Sequence, residues 1–160
     1  MTIITSVAYL SVPSRRSPAC TSGVQPQCGR MLRSMSLRAV IVDDSSAYLR
    51  AARSVLERQG ITVVGSAATG AEALRSAKEH DPDVVLVDIW LGEESGFDVA
   101  ELLSQATGRR TRVVLISAHP EQELRDLIDA SPAIGFVPKS RLSAGEVIKL
   151  LDSSYPTNGE

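Results

Sequence analysis

The chain has 160 residues and a mass of 17.1 kDa, with 43% hydrophobic and 22% charged residues. That is room for one ordinary packed domain with a tail. A net charge of −2 excludes a globally basic nucleic-acid coat and a highly charged disordered chain. The total hides an asymmetry. Arg15, Arg16, Arg30, Arg33 and Arg38 all precede the first acid, Asp43, so residues 1–42 carry +5 and the remainder carries −7.

Residues 1–35 read as a disordered basic tail, rich in Ser, Pro, Gly and Arg, with Pro13, Pro18, Pro26, Gly23 and Gly29 breaking any period. The apolar stretch from Ile3 to Val12 is too short to span a bilayer. No basic residue precedes it, as a secretory signal would require. Met31 and Met35 stand just ahead of the first strand-like run and are alternative candidate starts. Cys20 and Cys28 are separated by seven residues with no histidine nearby, which fits no common zinc spacing. A core without cysteine suits a reducing, cytoplasmic location.

From Leu37 the pattern changes. Leu37–Val42 is an apolar, β-branched run of strand length. Ser45 and Ser46 offer a helix start, and Tyr48, Leu49, Ala52, Val55 and Leu56 follow at helical spacing to Gly60. Ile61–Ser66 reads as a second strand, Ala71, Leu74 and Ala77 as a helix ending near His80, and Asp83–Val87 as a third strand. Gly92 to Gly96 reads as a loop, and Val99, Leu102, Leu103 and Ala106 line a third helix. Arg112–Ile116 is the fourth strand, Leu124, Leu127 and Ile128 mark the fourth helix, and Ala133–Val137 is the fifth strand. Val147, Ile148, Leu150 and Leu151 give the last helix its inner face, leaving 155–160 as a short tail. Strict alternation predicts an α/β domain over residues 36–154, a flavodoxin-like doubly wound (βα)5 fold with a parallel sheet in the order 2-1-3-4-5. Such sheets bind ligands at the carboxyl ends of the strands, beside the topological switch point.

Those strand ends carry the chemistry. The first ends in Asp43-Asp44, the third in Asp88, the fourth in Ser117 and the fifth in Pro138-Lys139. Converging carboxylates repel unless a cation intervenes. Oxygen donors without His or Cys select a hard ion such as Mg²⁺. A lysine can hold a phosphoryl oxygen as a point charge, and a serine hydroxyl can donate to another. Together these are the requirements for phosphoryl transfer onto an aspartate. Singly, each has a duller role: Asp44 could cap a helix, and Lys139 could be a solvated charge. Four occupied strand ends out of five favour the joint reading.

Four segments then resemble the receiver domain of bacterial two-component response regulators, over residues 37–154. They are VDD at Val42–Asp44, VDIWLGEESGFDVA at Val87–Ala100, VVLISA at Val113–Ala118 and GFVPKS at Gly135–Ser140. The resemblance implies that Asp88 is the phosphoacceptor, that Asp44 and Asp88 ligate Mg²⁺, and that Asp43 acts mainly through water. The backbone carbonyl of Trp90 would complete the protein ligands, while Lys139 and Ser117 would grip the phosphoryl group. It further implies that Ser117 and Phe136 form a switch remodelling the face of the fourth helix, fifth strand and fifth helix. Trp90 and His119 would flank the path of the hydrolytic water, and a bulky indole there predicts a long-lived phosphoryl state. Gly92 and Ser140 depart from the family, each standing where proline is common; the family's proline after the lysine is cis.

The implied function is a signalling switch, not an enzyme. Its phosphoryl donor would be a sensor histidine kinase or phosphotransfer protein, its output an unidentified partner, with phosphorylation-driven homodimerisation as one route. The residues after the last helix are too few for an output domain. No membrane partner is expected, and five scattered arginines are a thin footprint for direct DNA binding. Two alternatives remain open: a Mg²⁺-dependent phosphatase with Asp88 as nucleophile, and a phosphorylation-independent interaction module. The first would want an acid where Trp90 stands.

Overall fold

A computed structural model of the chain describes residues 36–108 and 110–155. The basic arm, its two cysteines and the two alternative start methionines lie outside the described residues, as does the tail beyond Tyr155. Five strands, β1 (Arg38–Val42), β2 (Thr62–Ala67), β3 (Val84–Asp88), β4 (Arg112–Ser117) and β5 (Gly135–Pro138), form a parallel sheet in the order β2-β1-β3-β4-β5. Five helices alternate with them: α1 (Ser46–Arg58), α2 (Gly70–His80), α3 (Gly96–Thr107), α4 (Glu121–Ala130) and α5 (Ala144–Ser154). The expected fold and strand order hold.

The two faces of the sheet follow from the period-2 alternation of side chains. Val40, Val42, Val85 and Val87 point one way, into a core closed by Ala73 and Ala77 of α2, Val99 and Leu103 of α3, and Leu124 and Ile128 of α4. Ala39, Ile41, Leu86 and Ile116 point the other way, onto Ala52 and Leu56 of α1 and Val147 and Leu151 of α5. Every residue of β3 is buried, as a central strand covered on both sides must be. Hydroxyl side chains start four of the helices: Ser45, Thr69, Ser95 and Ser143 each accept from an N–H of the first turn.

Three sequence expectations shift. Asp83 ends up outside β3 because its carboxylate accepts from the Arg38 N–H at 2.8 Å, so the strand starts at Val84 and runs through Asp88. The segment from Gly92 to Gly96 is not all loop: Glu94–Ser95 pairs antiparallel with Trp90–Leu91, a two-residue ladder too short to leave a period. Leu102, Leu127 and Ile148, expected to face inward, are 40%, 54% and 44% exposed. In α3, α4 and α5 the large buried apolar residues are the pairs Val99/Leu103, Leu124/Ile128 and Val147/Leu151, all four apart, with Ala100 and Ala144 buried beside them. Each helix rests on the sheet along one narrow stripe, and Leu102, Leu127 and Ile148 fall outside it.

The chain leaves β1 for β2 on one side and returns to β3 on the other. The switch point therefore lies between the carboxyl ends of β1 and β3.

Candidate functional site

At that switch point β1 delivers Asp43 and Asp44, and β3 delivers Asp88. Asp43 is fully buried. Its Oδ1 accepts from the Ser45 N–H at 2.8 Å, while Oδ2 lies 2.5 Å from Lys139 Nζ without hydrogen-bond geometry. Asp44 is exposed, and Gly92, with φ +59°, leaves room beside its carboxylate. Asp88 is buried; Oδ1 accepts from the Trp90 N–H at 3.3 Å and Oδ2 from Lys139 Nζ at 3.0 Å. Lys139 reaches this cluster because it follows β5 directly. Ser117, at the end of β4, is buried and accepts the His119 N–H at 3.0 Å.

The electrostatics are those of a crowded anion site. Burial pushes the Asp88 carboxyl above the ordinary carboxylate range; Lys139 pulls it back and Asp43 adds to the rise. Burial works against the Lys139 charge, but Asp43 and Asp88 outweigh it and hold the ammonium above the usual lysine range. One oxygen from each of Asp43, Asp44 and Asp88 lies within 4.8 Å of the others. Asp43 Oδ2 is buried, with the Lys139 ammonium 2.5 Å away as its ion-pair partner. An all-oxygen donor set of three carboxylates, more negative charge than one lysine offsets, fits a hard divalent cation.

The other expected residues stand nearby. Phe136 lies on β5, paired in register with Leu115, half-buried against the core shared with α2, α3 and α4. Ser117 pairs with Pro138 on the same two strands. The Trp90 and His119 rings are 5.9 Å apart and tilted by 59°, with Trp90 55% exposed. Lys139–Arg141 forms a 3₁₀ turn with no cis peptide, so the serine in place of proline is accommodated.

Two residues escaped the sequence reading. Glu94 Oε2 accepts the Gly70 N–H at 2.9 Å, tying the loop after Asp88 to the start of α2. Tyr48 looked like one more apolar position of α1, yet Lys139 Nζ lies 4.4 Å from its ring centroid. Its place in the first turn of a helix that begins at the site was the available signal.

A family model described as the response regulator receiver domain matches residues 39–151. The chain belongs to that family. Chemotaxis protein CheY of Bacillus subtilis is 33% identical over 99 residues, 62% of this chain and 80% of that one. A relative from Pseudomonas aeruginosa is 36% identical over 102 residues, which span 64% of this chain and 49% of that protein. A protein-glutamate methylesterase/protein-glutamine glutaminase of Alkalilimnicola ehrlichii is 37% identical over 109 residues, and this chain covers only 27% of its length. Among solved structures, the signal receiver domain of the response regulator NarL from Mycobacterium tuberculosis superposes with a TM-score of 0.62 at 32% identity. That match covers 74% of this chain and 95% of that one. A LuxR-family two-component response regulator from Aurantimonas gives 0.64 at 27% identity, covering 74% and 84%. The cluster of Asp43, Asp44, Asp88, Ser117 and Lys139 thus sits at the switch point of a receiver domain of two-component signalling. Among its described residues no helix is long and apolar enough to cross a membrane.

Proposed function

We propose that this receiver, comprising residues 36–154, accepts a phosphoryl group onto Asp88 from a sensor histidine kinase or phosphotransfer protein. The observation that carries the reading is the buried Asp88 carboxylate, 3.0 Å from Lys139 and within 4.8 Å of oxygens from Asp43 and Asp44. A carboxylate oxygen of Asp88 forms the new O–P bond as the P–N bond of a phosphohistidine breaks; the imidazole nitrogen keeps the electron pair and takes up a proton. Asp43, Asp44, Asp88 and the Trp90 carbonyl would hold Mg²⁺. When bound, the ion offsets the charge of the carboxylates and of the incoming phosphoryl oxygens. Lys139 and the Ser117 hydroxyl then hold phosphoryl oxygens. Ser117 can turn toward them by giving up its contact with the His119 N–H, and Phe136 repacks beside it, changing the face of α4, β5 and α5 for an output partner or a second copy. The setting for this exchange is the cytoplasm, without direct contact to DNA.

The test is incubation with acetyl phosphate and Mg²⁺. Stoichiometric labelling of the wild type, absent in Asp88→Asn, is the expected result. Turnover of a phosphomonoester would instead point to a phosphatase, and no labelling to an interaction module. Trp90 and His119 crowd the approach to the phosphoryl group, so Trp90→Asn is expected to speed dephosphorylation about tenfold, ~1.4 kcal/mol of barrier. An unchanged or slower rate would remove the shielding role.

A further inference from the structure

Lys139 is held on three sides. Asp88 Oδ2 takes one hydrogen bond at 3.0 Å, Asp43 Oδ2 supplies charge at 2.5 Å, and the Tyr48 ring lies under the ammonium at 4.4 Å from its centroid. The lysine side chain is only 18% exposed, so the ring occupies space that water would otherwise fill. The Tyr48 hydroxyl is buried and has no hydrogen-bond partner. Its phenol stays neutral, because burial, with Asp43 and Asp88 adding, pushes its ionisation far above the ordinary range. What Tyr48 presents to the lysine is therefore an uncharged ring face, negative at its centre.

We propose that Tyr48 is a positioning residue for Lys139, its ring face holding the ammonium while the lysine exchanges Asp88 for an incoming phosphoryl oxygen. The proposal rests on the phosphoryl-transfer reading above and names a part of that site. During the transfer Asp88 gives up a full carboxylate charge, and the lysine must follow the negative charge onto the phosphoryl group. A hydrogen-bond acceptor in the place of Tyr48 would anchor the ammonium in one direction, and a carboxylate there would add to a cluster already rich in them. A ring face attracts the cation without fixing its direction, so the head group can shift while remaining shielded from water.

The test compares acetyl phosphate labelling of the full chain with Tyr48→Phe, Tyr48→Leu and Tyr48→Met, at saturating Mg²⁺. Phe keeps the ring face and is expected within about twofold of wild type; Leu and Met lose it and are expected to label roughly tenfold more slowly. Mg²⁺ affinity, read from the fluorescence of Trp90, the single tryptophan of the chain, should be the same in all four. Equal labelling rates throughout would overturn the proposal while leaving the phosphoacceptor reading intact. A loss in Phe as large as in Leu would overturn it too, since the hydroxyl would then be the working group. Failure of the wild type to take label, with Mg²⁺ bound, would bring down both readings. A urea double-mutant cycle pairing Tyr48→Met with Lys139→Met needs no phosphoryl group and covers the case in which Tyr48→Leu does not fold. Coupling between the two sites is the supporting outcome, and strict additivity removes the contact.

Discussion

At the amino end of the sheet the buried Thr111 donates its hydroxyl to the Pro82 carbonyl at 3.0 Å, and Asp83 accepts from the Arg38 N–H. Arg112 there lies 4.0 Å over the Tyr155 ring and donates to the Leu151 carbonyl. At the carboxyl end three carboxylates cluster, and Lys139 pairs with two of them, Asp43 and Asp88. Among the described residues the Tyr48 hydroxyl is a buried side-chain polar atom with neither a hydrogen bond nor an ion-pair partner, and it is at this end. An unsatisfied buried polar group costs about 1–3 kcal/mol. The same strands run through both ends, and at the amino end these polar groups are paired. The difference marks the carboxyl end as the place where stability gives way to function.

Strand β3 joins the two ends, and Gly96 holds α3 against its end. A Cβ at Gly96 would fall on the Asp88 carbonyl oxygen and lie 2.7 Å from Ile89 Cα, with backbone on both sides. Gly96→Ala is expected to cost about 3 kcal/mol in urea unfolding and to displace Asp88 enough to slow labelling. A fully stable variant would mean that the close approach of α3 is not needed to set the site.

The next effect separates the two ends directly. Mg²⁺ at a hundred times its Kd should raise the unfolding free energy by ~2.7 kcal/mol. Asp44→Asn should lose most of that increment, because Asp44 is exposed and its carboxylate belongs to the cation cluster. Asp83→Asn, at the opposite end of β3, should keep it. Equal losses in the two variants would mean that the ion acts as diffuse charge screening.

How far the sequence carries this contrast differs between its two sides. Strand order, helix number and the convergence of Asp43, Asp44, Asp88, Ser117 and Lys139 were legible, since strand ends and their carboxylates are local signals read in register with the alternation. The aromatic support under Lys139 was not, because Tyr48 occupies an apolar helical position and joins a lysine 91 residues away only through tertiary packing. The outward placement of Leu102, Leu127 and Ile148 was equally hidden. Periodicity marks an apolar side of a helix, but the width of the stripe that touches the sheet is set by the sheet. Asp83 and Asp88 bracket one apolar run, with Asp88 already marked at its carboxyl end; that Asp83 accepts the Arg38 N–H while Asp88 meets the Lys139 ammonium emerges only in the fold.

The smallest expected effect tests the sign of the comparison. Thr111→Val and Tyr48→Phe each delete one hydroxyl, the first bonded and the second not. Thr111→Val leaves the Pro82 carbonyl without its donor and should lower the unfolding free energy by about 1 kcal/mol. Tyr48→Phe removes a desolvated hydroxyl that gains nothing in the fold, keeps the ring under Lys139, and should raise it by up to about 1 kcal/mol. Opposite signs in the same urea titration would show that one end of the sheet is built for stability and the other tolerates a cost. Two losses of similar size would mean that the Tyr48 hydroxyl is satisfied in solution, and the clustered carboxylates of Asp43, Asp44 and Asp88 would then carry the contrast by themselves.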